Sequence, residues 1–242
     1  MANRYETETW FNEYMLFHYG TEKEQLPFAF GPKSSLHFPV RIVTECVDFS
    51  LLPKDARALD LGCAVGRSSF ELSRYCQEVM GVDFSSLFIQ AAQKMQAAKS
   101  YEYVLYEEGD REIQCTAHVP EGVFPERVTF KRADVMEFAG YSQPFDIVLA
   151  ANLLCRLPDP EAFLKMLSEL VKKGGQLILI SPYSWLEEFT PKDKWLINHE
   201  SIRKLLSSSF ELKRCMEMPF LMREHSRKYQ WSVSEASIWI RY

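Results

Sequence analysis

Ala58-Leu59-Asp60-Leu61-Gly62-Cys63-Ala64-Val65-Gly66-Arg67 is the stretch around which the rest of the chain is organised. Ala56 to Leu61 is short and apolar, the pattern of a parallel strand buried on both faces. Ser68 to Tyr75 spaces Phe70, Leu72 and Tyr75 as a helix does. Between the two, Gly62, Ala64 and Gly66 carry almost no side chain, so the backbone can turn tightly and a ligand can press against it. Strand, small-residue turn and helix predict a nucleotide-type pocket at the carboxyl end of a first strand.

Further units follow. Glu78 to Asp83 reads as a second buried strand, and Ser85 is an N-cap candidate for a helix through Ala98. Arg127 to Arg132 and Phe145 to Ala151 read as strands three and four, followed by Asp134 and Asn152. A helix from Pro160 to Val171, stopped at Gly174-Gly175, leads into strand five, Gln176 to Ile180. After a short helix, Ser201 to Leu206, the runs Phe210 to Met216 and Ser232 to Arg241 alternate as an antiparallel pair. Tyr101 to Val119 alternates around Glu107-Glu108-Gly109-Asp110, which predicts an inserted hairpin at a sheet edge. Strands alternating with helices predict one α/β domain over residues 1–242, a parallel sheet with an antiparallel C-terminal edge. Residues 1–55 form its N-terminal cap, residues 56–242 its core, and the hairpin insertion covers about 101–119. In the cap, Trp10, Tyr14 and Phe17 stand at helical spacing, either packed on the sheet edge or closing the pocket as a lid. Leu26 to Val40 reads as loop and Val40 to Phe49 as a short helix.

The 242 residues are 47% hydrophobic and 25% charged, with a net charge of −5. That balance disfavours nucleic acid or an anionic membrane as the main partner. The six cysteines form no CxxC pair, and Met1-Ala2-Asn3-Arg4-Tyr5 is unlike a secretory segment. Reduced cytoplasmic thiols and no metal are therefore expected.

Acidic or polar residues follow successive strands. Asp83 is placed to accept ribose hydroxyls, Phe84 to lie on a purine, and Asp134 with the Val135 N–H to meet an adenine edge. Asn152 projects where the reactive end of the ligand should lie. A dinucleotide site needs G-x-G-x-x-G, and Arg67 stands after G-x-A-x-G instead; a phosphate loop is absent as well. The pattern suits a nucleoside without phosphates. With Gly81-Val82-Asp83, Ala133-Asp134-Val135 and Lys173-Gly174-Gly175, it resembles the class I S-adenosylmethionine-dependent methyltransferases over roughly Ala56 to Ile180.

That resemblance implies a Rossmann-like, mainly parallel seven-stranded sheet and S-adenosylmethionine as cofactor. It assigns Asp60, Gly62, Cys63, Ala64 and Gly66 to the methionine end, Asp83 to the ribose, Phe84, Asp134 and Val135 to the adenine, and Asn152 to the reactive end. Ala64 departs from the family's middle glycine and is expected at negative φ. Cys63 has a catalytic reading, but a thiol in a turn serves better as a small filler.

Tyr14-Met15-Leu16-Phe17-His18-Tyr19-Gly20, Phe38-Pro39-Val40-Arg41, Ser181-Pro182-Tyr183-Ser184-Trp185 and the run through Leu196 resemble, more narrowly, the thiohistidine N-methyltransferases of ovothiol biosynthesis. These usually form the C-terminal domain of a 5-histidylcysteine sulfoxide synthase. The resemblance implies methylation of the side-chain-proximal ring nitrogen of 5-thiohistidine, with that synthase as partner. Tyr14, His18 and Asn152 are then candidate catalytic residues. Arg41, Arg67, Arg156, Tyr183 and Trp185 are candidates for holding the substrate, while each arginine also reads as a structural ion pair. Alternatives are a methyltransferase for another small molecule, or an inactive cofactor-binding partner of the synthase.

Overall fold

The computed structural model describes residues 4–138 and 143–242; residues 1–3, part of the 1–5 stretch read as unlike a secretory segment, lie outside them. The strands are β1 (Arg57–Leu61), β2 (Glu78–Asp83), β3 (Ser100–Tyr106), β4 (Glu112–His118), β5 (Val128–Arg132), β6 (Phe145–Ala151), β7 (Val171–Ser181), β8 (Phe210–His225) and β9 (Lys228–Arg241). The helices are α1 (Glu8–Tyr19), α2 (Glu22–Gln25), α3 (Phe38–Thr44), α4 (Arg67–Leu72), α5 (Ser86–Ala98), α6 (Pro160–Leu170) and α7 (His199–Leu206).

The seven-stranded sheet runs β5–β2–β1–β6–β7–β9–β8. Its first five strands are parallel, and β9 and β8 close it antiparallel. Strand order reverses between β1 and β6, so a crevice opens at their carboxyl ends, where open α/β sheets bind ligands. Successive residues of the central strands bury on opposite faces, as the continuous apolar runs require. Ala58, Ile147, Leu149 and Ile178 pack with Met15, Val43, Phe70 and Met95 of α1, α3, α4 and α5. Leu59, Leu61, Val148 and Leu177 pack on the other face with Phe163, Leu167 and Ile202 of α6 and α7. The result is a three-layer α/β fold.

Several boundaries differ from the sequence reading. α6 ends at Leu170, because Val171 already pairs with Phe145 in the sheet. Gly174, at φ +78, belongs to a bulge in β7 rather than to a helix stop, as the register jumps from Phe145↔Val171 to Ile147↔Gln176. Within the expected loop Leu26 to Val40, α3 starts at Phe38 with Pro39 in its first turn. β8 continues past Met216 through Pro219, which the edge position of this strand tolerates.

The hairpin β3–β4 forms a separate two-stranded sheet rather than an edge of the main one. It clamps α1: Asn12 accepts from the Val104 N–H and donates to the Tyr106 hydroxyl, and Phe11 meets Tyr101 edge-on. β9 pairs with β7 only between Glu235 and Ile240; residues 228–234 run on and pair with β8 alone. This overhang is tied to the small hairpin by Arg223–Glu107 at 2.7 Å, a pair with side chains 3% and 15% exposed. Among the described residues no helix is long and apolar enough to cross a membrane.

Candidate active site

A cavity of about 580 Å³ lies over the carboxyl ends of the parallel strands. Its floor is Asp60 and Gly62 at the end of β1, Asp83 and Phe84 at the end of β2, Asp134 and Val135 after β5, and Asn152 after β6. Trp10, Tyr14, Phe17 and His18 of α1 line its other side with Phe38 and Ile42 of α3. The cap helix is therefore both packed on the sheet and a wall of the pocket. A second concavity, about 630 Å³, lies against β8–β9 between Phe28, Phe30, Leu221 and Trp231; its Arg227 is ion-paired to Glu108.

Asp83 accepts from the Ala64 N–H at 2.9 Å and from the Ser85 N–H at 2.8 Å, one on each oxygen. Burial raises its pKa to about 6 against the pull of those two bonds. Asp60 accepts at one oxygen from the Ser68 and Ser69 hydroxyls, at 2.7 and 2.6 Å, and burial raises it to about 6 as well. Ala64 sits at φ +48, not at the negative φ expected of it, because the turn must aim its N–H at Asp83. An L-residue there carries left-handed strain of ~1–2 kcal/mol. Asn152, also left-handed at φ +53, receives the Ser234 hydroxyl on its side-chain oxygen, so its amide nitrogen is what it offers the cavity. Asp134 caps the turn after β5 by accepting from the Met136 N–H.

His18 lines the cavity with its Nδ1 buried and without a hydrogen-bond partner among the described residues. Burial, with the Arg67 charge nearby, lowers its pKa to about 3, so the ring is neutral. Tyr14 stacks on it, and burial keeps that phenol protonated. Arg156 lines the wall, donating to the Tyr5 hydroxyl and to the Ser184 carbonyl.

Six expected site residues do not line the cavity, each for a local reason. Cys63 is buried in the core with its thiol pushed up, first by burial and then by Asp60 and Asp83. Gly66, at φ +87, is required by packing: a Cβ there would lie 2.5 Å from Phe130. Arg41 pairs with Glu45 and donates to the Pro219 carbonyl, holding the β8 overhang. Arg67 pairs with Glu71 at 2.8 Å. Tyr183 donates to Glu235, and Trp185 is buried against Trp195.

Residues that the sequence reading did not single out complete the wall. Phe220 and Met222 of β8 stand opposite Ser232 and Gln230 of β9, and all four line the cavity with Glu188. The period-two alternation of β9 carries the signal for Gln230 and Ser232; only the overhang shows where that face points.

A model described as "Methyltransferase domain" matches residues 59–177. The chain carries a class I, S-adenosylmethionine-dependent methyltransferase domain. Its curated relatives include the ubiquinone biosynthesis O-methyltransferase of Xanthomonas axonopodis pv. citri, 30% identical over 153 residues, 62% of this chain and 53% of that one. The protein of the same name from Coxiella burnetii is 28% identical over 149 residues, 61% of this chain and 52% of that one. The chain thus spans about half the length of these relatives. The fold of the methyltransferase domain is similar to that of N-methyltransferase NodS from Bradyrhizobium japonicum WM9, solved with S-adenosyl-L-homocysteine. The TM-score is 0.54 at 13% identity, over 84% of this chain and 83% of that one. It also matches a structure described under conversion of a disulfide bond into a thioacetal during echinomycin biosynthesis, with TM-score 0.54 at 16% identity, over 79% and 77%.

The residues present fit this cofactor. Gly62 meets the cavity at φ +75 without a side chain, and Asp83 uses one bond per oxygen on the backbone, leaving lone pairs for hydroxyl donors.

Proposed function

We propose that this chain transfers a methyl group to the side-chain-proximal ring nitrogen of 5-thiohistidine, giving ovothiol A. The observation that carries this reading is the make-up of the acceptor half of the cavity. Trp10, Tyr14, Phe17, His18 and Phe38 offer ring surfaces for a planar heterocycle, and Arg156 with Glu188 offers one charge of each sign for a zwitterionic amino acid. In this reading Asp83 holds the ribose hydroxyls, Phe84, Asp134 and Val135 the adenine, and Asp60, Gly62 and Ala64 the methionine end. Asn152 and Tyr14 orient the acceptor.

Bound S-adenosylmethionine supplies an electrophilic methyl on a sulfonium. The protein's task is then to align the ring nitrogen and exclude water, which the aromatic wall does; ideal alignment is worth up to ~7–11 kcal/mol of barrier. His18, neutral beside the ring, orients it by hydrogen bonding and adds no charge next to the sulfonium. A pKa near 3 makes it a weak base, and that suffices, because the thiolate on the acceptor balances the charge the ring gains. A 5-histidylcysteine sulfoxide synthase is the partner this reading implies.

Incubation of the full chain with S-adenosylmethionine and 5-thiohistidine should give a product one methylene heavier, while histidine gives little. No such product despite firm S-adenosylhomocysteine binding overturns the proposal. Turnover of a hydroxyl acceptor instead would assign the chain to the O-methyl transfer named for its relatives. Binding without turnover of any acceptor, with the synthase present, would make it an inactive partner.

A further inference from the structure

Away from the cavity, His199, Cys215 and Glu235 bring one imidazole, one thiol and one carboxylate together, their donor atoms all within 4.8 Å of one another. They come from three elements, the start of α7, β8 and β9. His199 Nδ1 lies 2.7 Å from Glu235 Oε1 and 3.9 Å from Cys215 Sγ. We propose that this cluster is a zinc site, with His199, Cys215 and Glu235 as three protein ligands and water in the fourth position.

Geometry supports it first. Metal–ligand bonds of ~2.0–2.3 Å in a tetrahedron put neighbouring donors roughly 3.3–3.8 Å apart. With Nδ1 as the single imidazole donor, the sulfur–nitrogen separation is already close to that size, and the nitrogen–oxygen pair needs to open by less than ~1 Å.

The surrounding charge supports it second. Glu217 stands directly opposite Glu235 across the β8–β9 ladder, and Cys215, two residues before Glu217, shares its face. Like charges facing each other across strands destabilise a sheet, and a divalent cation between them reverses the sign.

The third support is the shell behind the donors. Tyr183 donates its hydroxyl to Glu235 at 2.9 Å from a left-handed backbone, φ +52, a strained conformation for an aromatic residue. The His199 ring stacks on Trp239 at 6.0 Å and 17°, which fixes its orientation. Hydrogen-bonded carboxylates and oriented imidazoles are what ligating groups need around them. Softness selects the ion: thiolate with imidazole favours zinc over magnesium or calcium, which prefer all-oxygen sites.

Bound there, zinc would fasten α7 to the β8–β9 hairpin. Tyr183 sits between Pro182 and Ser184, both of which line the cavity, so the same ion would stiffen part of its wall. The role is structural, and the ion takes no part in methyl transfer.

The test uses the full chain, stripped with chelator, kept reduced, and titrated with Co2+. One equivalent should bind with tetrahedral visible bands and a thiolate-to-cobalt charge-transfer band, and Zn2+ should bleach both. Cys215→Ser should lose the charge-transfer band and bind Co2+ at least tenfold more weakly. Tyr183→Phe, which keeps all three ligands, should weaken binding severalfold while keeping the band. Circular dichroism checks that each variant folds. Equal Co2+ binding by the chain and by Cys215→Ser, or a spectrum without the thiolate band, would overturn the site.

Discussion

Asp83→Asn should weaken S-adenosylhomocysteine binding by roughly 10- to 150-fold and remove most of its dependence on pH. Each Asp83 oxygen holds one backbone N–H in the free protein. An asparagine keeps one of those bonds and turns an NH2 toward the other donor. That defect is present with and without ligand, so it lowers stability and leaves affinity alone. The affinity term is the difference between a hydrogen bond to a charged and to a neutral acceptor, ~1–1.5 kcal/mol for each of the two ribose hydroxyls, with 1.4 kcal/mol per decade. The pH term follows from the raised pKa of about 6. A ligand that donates to the carboxylate needs it ionised, so wild-type affinity should fall about tenfold from pH 7 to pH 5. Isothermal titration calorimetry across that range, on both proteins, measures both effects. Asp60 also titrates near 6, and the variant separates the two groups. If Asp83→Asn binds within threefold of wild type and keeps the same slope, Asp83 does not hold the ribose, and the placement of the cofactor is wrong.

Asp60→Asn should change stability in a pH-dependent way. A buried carboxyl whose folded pKa is raised from 3.8 to about 6 favours the folded state while protonated. Relative to the asparagine variant, wild type should lose about 3 kcal/mol as pH rises from about 4 to above 6, measured by urea unfolding. Gly66→Ala drives a Cβ to 2.5 Å from Phe130 at φ +87, combining left-handed strain with overpacking. A loss of about 2–5 kcal/mol is expected by thermal denaturation. Ala64→Gly should do the opposite at φ +48: the ~1–2 kcal/mol of strain relieved outweighs the ~0.4–1 kcal/mol of added chain entropy, so Tm should rise slightly. Arg223→Ala leaves Glu107 without its ion-pair partner and frees the overhang, at a cost of about 3–5 kcal/mol; Glu107→Gln should cost less.

The half of the cavity formed at the strand ends was legible because its residues lie at or just past the ends of their strands. Asp60, Asp83, Asp134 and Asn152 each sit at or just beyond a strand's carboxyl end, so predicting the strand predicts where the residue sits. The same locality explains Ser85 at the start of α5. It fails for Arg41 and Arg67, which a motif places near the pocket but whose guanidiniums find Glu45 and Glu71 one helical turn away. An i,i+4 partner was readable from the sequence, and it outcompetes a distant ligand for an arginine.

The facing wall of the cavity was not legible, because no local pattern forms it. Phe220 and Met222 meet Ser232 and Gln230 only through the β8–β9 register, and the strands face the cavity only because they outrun β7. That overhang depends on Arg223 reaching Glu107, 116 residues away in sequence. The same logic limits what cysteine spacing excludes. The lack of a CxxC pair rules out a local zinc motif, whereas His199, Cys215 and Glu235 are joined by pairing across the last hairpin and by the seat of α7. In an α/β fold closed by an antiparallel edge, what the parallel strands bind is written beside them. What the edge contributes appears only once register and overhang are known, and in this chain that covers both the β8–β9 wall of the cavity and the proposed metal site.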